Sequence, residues 1–204
     1  ALLLVSLFSL VAYLVRFGMQ RPDTDPFARE LEAEIPTDIP TRVAVFWLLI
    51  SMVALPASSH FLVEGAVLDW GALLLVARAL MEPAGAGLGY MLFSVAMTIA
   101  RLTGDRIVAR LGQGLVLILG GLTAIAGIAL TLVPGLTGMA LLGFVLIGLG
   151  CANLVPVVFS LAARQPGRAS GLAVAAVTTT GYAGILLGPA LVGFVAEISS
   201  LAMA

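Results

Sequence analysis

The sequence predicts an all-α membrane protein, a polytopic bundle of transmembrane helices, and three observations predict it. Hydrophobic residues make up 61% of the chain and charged residues 10%, against about 45–50% and about 25% in an ordinary soluble domain. The apolar residues fall into runs long enough to cross a bilayer, and the mean hydropathy is +1.14. Arginines gather in alternate connections between those runs. Ten basic and eleven acidic side chains cannot clothe a soluble core in a chain of 204 residues.

A membrane-spanning helix rises about 1.5 Å per residue, so about 20 apolar residues cover a core of about 30 Å. By that measure residues 1–15 read as the end of a preceding span, and further spans fall near 43–63, 84–103, 114–133, 138–163 and 171–195. In lipid the backbone must satisfy its own hydrogen bonds, and these runs exceed the length of a barrel strand, so they are helices. Residues 16–42 form a long polar linker in which Asp25-Pro26 resembles a helix start and Pro36 and Pro40 a stop. Residues 43–204 are the main bundle. Within it, 64–83 is too interrupted to span and is expected as an interfacial helix anchored by Trp70. The chain opens at Ala1 inside an apolar run and closes at Ala204 as another begins, so it reads as a fragment truncated before its last helix.

All ten basic residues are arginine. The connections at 16–42, 101–112 and 164–168 hold nine of them, and the alternate connections hold Arg78 alone. The positive-inside rule therefore places those three loops in the cytoplasm and the chain in a cell (inner) membrane. No basic patch suggests nucleic acid. The lone Cys151 excludes an internal disulfide.

Polar groups at membrane depth are costly unless paired or facing water, so they nominate the site. His60 and Glu64 are spaced to share a helix face. They read as a proton-handling pair on a cavity wall, or as a solvated pair at the interface. Asn153 lies mid-span in Gly150-Cys-Ala-Asn-Leu-Val-Pro156, where the proline frees a backbone carbonyl. It reads as a solute contact at a broken helix or as an interhelical hydrogen bond. Thr179 and Tyr182 add hydroxyls on the last span. The sequence holds no HExxH, nucleophile elbow, P-loop or cluster at metal-ligand spacing, so neither an enzyme nor a metal or other cofactor is expected.

Two motifs carry a family resemblance. Gly104-Asp105-Arg106-x-x-x-Arg110-Leu-Gly112 resembles the cytoplasmic loop motif of the major facilitator superfamily, in the copy between the second and third helices of the C-terminal half. Asp105, Arg106 and Arg110 match; Arg101 and Val108 replace the motif's glycines, and Ala109 one basic residue. Gly184-x-x-x-Gly188-Pro189-x-x-Val192-Gly193 is similar to the family's glycine-rich helix motif, with Val192 in place of a glycine. Glu64-Gly-Ala-x-x-Asp69-Trp70 and Asn153-Leu-Val-Pro156 are similar to bacterial members near the sugar-permease branch.

The resemblance implies a C-terminal half lacking its last helix, with most of the N-terminal half as a missing partner. It implies secondary active transport of a small solute by alternating access, with proton coupling left open. The resemblance also implies a gating loop in which Asp105 sits near a helix N-terminus and pairs with Arg106 or Arg110. A non-transporting receptor on the same fold is the alternative, with a membrane enzyme third.

Overall fold

The computed structural model describes residues 60–164 and 168–200. The expected features at 1–15 and 16–42, and most of the 43–63 span, lie outside the described residues. Among the described residues all regular structure is α-helical, and the fold is a helical membrane bundle. We number the helices α1 (His60–Ala77), α2 (Leu88–Thr131), α3 (Thr137–Cys151), α4 (Leu154–Ala163) and α5 (Arg168–Ile198).

The first difference from the sequence expectation is α1. Glu64 and Asp69 interrupt the hydropathy, which suggested a span ending at 63 and an interfacial helix beyond it. The helix instead continues to Ala77 and buries Val63, Ala66, Val67 and Leu75. Asp69 faces outward, so the charges interrupt the composition without interrupting the core face.

At 44 residues α2 would be about 66 Å long if straight, roughly twice the hydrocarbon thickness. It breaks at Gly112, whose φ of 78° and ψ of 157° suit glycine alone. The polar stretch from Arg101 to Leu111, expected as a loop, is helical right up to that break. Arginine, leucine and alanine are good helix formers, and hydropathy cannot separate a polar helix end from a turn. The arms 88–111 and 113–131 run in opposite directions against α3: Phe93 meets Gly148 on the first arm, while Gly120 meets Gly150 and Gly127 meets Gly143 on the second.

The 138–163 run is likewise two helices, α3 and α4, with Ala152 and Asn153 between them. The last helix reaches Ile198, with Pro189 inside it. Arg106, Arg110 and Arg164 lie at one end of the bundle. Gln113 donates to the Ser160 hydroxyl there (3.0 Å), joining α2 to α4. Arg78 lies at the other end, where it donates to the carbonyls of Thr131 (3.2 Å) and Leu132 (2.8 Å) and caps the carbonyl end of α2. Thr137 donates to the Leu80 carbonyl beside it (2.7 Å).

Small residues set the spacing. A Cβ on Gly120 would lie 2.6 Å from the Gly150 carbonyl oxygen, and one on Gly127 would lie 2.7 Å from that of Gly143. Backbone therefore rides on backbone along this seam. Between α5 and α1, Gly181 receives the Phe61 ring, Gly188 packs on Leu62 and Gly193 receives the Trp70 ring. Gly127→Leu should lower stability by about 1–3 kcal/mol, because the seam has no room to yield. Gly138→Leu meets open space and should change little. Thermal unfolding of the two variants in one detergent checks the contrast.

Candidate functional site

Proline has no N–H, so Pro156 cannot donate to the carbonyl four residues back, which is that of Ala152. An unpaired carbonyl in the apolar interior is expensive. Arg101 resolves it: Nε donates to the Ala152 oxygen at 3.3 Å. Helix hydrogen bonding resumes one residue later, where the Val157 amide donates to the Asn153 carbonyl at 3.2 Å. Asn153 is of a type that commonly caps a helix N-terminus. Its side chain makes no capping bond and lies instead against Gly104, where any Cβ would overlap the amide oxygen. Arg101 and Gly104, less than one helical turn apart, thus dock the first arm of α2 on the α3–α4 break.

The third wall is α1. It packs on both of the others, with the Phe144 ring of α3 against Gly71 and Leu75 against Gly89 of α2. Counting from the Arg78 end at about 1.5 Å per residue, Glu64 and Arg101 each lie about 20 Å along their helices, so they share a level about two-thirds of the way across the core. His60 Nε2 stands 3.2 Å from Glu64 Oε2. The approach is off the line of a hydrogen bond, and both ring nitrogens are buried without a hydrogen-bond partner among the described residues. The Glu64 side chain keeps 33% exposure while that of His60 has none.

Of the sequence-nominated residues, Asn153 lies at the α3–α4 break against Gly104, and His60 and Glu64 lie beside each other on α1 at the level of Arg101. Thr179 and Tyr182 stay apart from them. They occupy the exposed face of α5, with Tyr182 at 64% exposure, while the opposite face carries Gly181 and Gly188 against α1. Thr178 and Thr180 donate to carbonyls of their own helix, Val174 and Ala176. The expected loop charges behave differently as well. Asp105 lies inside the first arm of α2 instead of at a helix N-terminus, and makes no ion pair with Arg106 or Arg110; among the described residues the ion pair is His60–Glu64. Gly184 is partly buried on α5, and Gly188 and Gly193 of the same motif make the α1 contacts described above.

Arg101 is the residue that sequence reasoning missed as part of the site. Counted with the loop arginines, it lies instead along the first arm of α2, about 20 Å from the helix start, with its Nε on the Ala152 carbonyl. The signal was present in its spacing from Asp105, one turn deeper into the span, and in the carbonyl that Pro156 leaves without a donor.

Gly104→Ala should destabilise the protein by crowding the Asn153 amide, and adding Asn153→Ala should restore most of the loss. A double-mutant cycle on melting temperature measures this coupling, expected at about 0.5–3 kcal/mol for residues in contact.

The chain is similar to an uncharacterized MFS-type transporter of Yersinia pestis, 47% identical over 144 residues. That match covers 71% of this chain and 38% of the relative. It is also similar to an uncharacterized transporter of Sinorhizobium fredii, 37% identical over 150 residues, covering 74% of this chain and 40% of the relative. The membrane protein MosC of Rhizobium meliloti is 35% identical over 142 residues, 69% of this chain and 35% of its own length. The chain therefore spans about two-fifths of the relatives it matches. No family model and no solved structure matches it.

Proposed function

The chain belongs to the major facilitator superfamily of membrane transporters, and from that premise we propose that it forms part of a secondary carrier moving a small solute by alternating access. The observation that carries the reading is the bond from Arg101 to the Ala152 carbonyl at a broken helix, with the His60–Glu64 pair at the same level on α1. Ionisable groups there are costly, and they serve transporters as solute and proton contacts. Exposed apolar side chains such as Leu102 on α2 and Leu186 on α5 suit burial against lipid and a second bundle from the same protein. That second bundle is the N-terminal half.

In the proposed cycle Glu64 carries the coupling proton. Its side chain is half-buried and reaches both His60 and the site level, so a proton taken there changes the charge facing Arg101. The arginine-rich end, with Arg106, Arg110 and Arg164, faces the cytoplasm of an inner membrane. Asp105 and its neighbouring arginines act at that surface as the gate that opens and closes the solute path.

Proteoliposomes holding the full-length carrier should accumulate solute under an inward proton gradient and lose that accumulation with a protonophore. Glu64→Gln, neutral at all pH values, should abolish accumulation by at least tenfold while sparing solute exchange at equal concentrations. Accumulation by the variant at the wild-type level would remove Glu64 from coupling.

A further inference from the structure

We propose that the Arg101 guanidinium docks an oxyanion of the transported solute, a carboxylate or a phosphate group. The assignment rests on the carrier reading above and names the chemistry of its solute.

The guanidinium is only partly committed. Its Nε holds the Ala152 carbonyl, and the two terminal nitrogens have no hydrogen-bond partner among the described residues. Its facing carboxylate does not consume it. Glu64, the carboxylate at the same level on α1, has its Oε2 3.2 Å from His60 Nε2 and makes no ion pair with Arg101. Arg101 remains exposed about 20 Å from the Arg78 end of its helix, where an arginine turned toward lipid would be strongly disfavoured. The bond to Ala152 instead aims it at the helix break. A planar fork, oriented through one nitrogen with the other two open, matches carboxylate and phosphate oxygens in pairs.

The surroundings favour the same ligand. The ionisable groups around it among the described residues are Asp105 one turn along its own helix, His60 and Glu64 at its level on α1 and the thiol of Cys151 on α3. Arg101 is thus the single permanent cation at this level, and Asp105, toward the Gly112 end, leaves the side facing the break to the cation. Gly104 and Asn153 fill the other side of the break with a neutral amide. An anion arriving at Arg101 brings negative charge beside Glu64, and a proton on Glu64 relieves that repulsion. Solute and proton thereby favour each other's binding, which makes the anion and the proton travel together.

The test uses the full-length carrier in nanodiscs, with lactate, succinate, inorganic phosphate and glycerol 3-phosphate as anionic probes and glucose and putrescine as controls. Phenylglyoxal modification of Arg101, followed by mass spectrometry of its peptide in the wild-type protein, should slow at least fivefold with one of the four anions and with neither control. The protecting anion should then bind Arg101→Gln at least tenfold more weakly, with Arg101→Lys in between. Absence of protection by all four anions, or undiminished binding to the glutamine variant, overturns the proposal. Uptake of glucose or putrescine at the wild-type rate by Arg101→Gln would likewise overturn it while leaving the carrier reading intact. Protection of Arg101 without transport of any probe would support the oxyanion site and count against the carrier.

Discussion

A backbone carbonyl in lipid must find a donor, and at one place in this bundle the helix withholds it. Pro156 leaves the Ala152 oxygen bare, and Arg101 reaches across from a neighbouring helix to supply the bond. That single requirement fixes much of the surrounding geometry. It holds the first arm of α2 against the break and keeps Gly104 free of a side chain where the Asn153 amide rests. It also points a cation at the α3–α4 break, at the level at which α1 presents Glu64. A leucine at position 156 would let the carbonyl bond within an unbroken helix, and Arg101 would have no main-chain acceptor there.

The glycines make this reach possible. With Gly148 against the Phe93 backbone and the Gly120–Gly150 and Gly127–Gly143 pairs on the other arm, α3 lies close enough to both arms of α2 for one arginine side chain to bridge the gap. On the far side, the rings of Phe61 and Trp70 seat in the notches at Gly181 and Gly193, fixing α1 along α5. Tight seams hold the walls, and at the broken helix Arg101 and the Asn153 amide take the place of small-residue packing.

The sequence made the membrane class legible because hydropathy integrates over whole spans and tolerates local error. The His60–Glu64 pairing was legible from spacing alone, and the break near Asn153 from its proline. Depth was not. Arg101 adjoins Thr103, Asp105 and Arg106, and a polar cluster looks the same in a loop as at the end of a helix. Only the start of α2 at Leu88 gives its level. Hydropathy also cut α1 short, since two carboxylates weigh against a span regardless of the face they occupy. Facing was the other gap: Tyr182 and Thr179 supplied hydroxyls at a plausible height, but the packing of Gly181 and Gly188 on α1 directs those hydroxyls elsewhere.

The break at Gly112 bears on how the chain enters its membrane. One residue of non-helical backbone joins the two arms of α2, leaving no slack for one arm to settle while the other waits outside. The pair is thus a single tight hairpin, and Arg106 and Arg110 beside its bend make that end costly to carry through the hydrocarbon. In this protein the directions of two crossings are therefore tied together by one residue: whichever way the first arm enters, a lone glycine sends the second back.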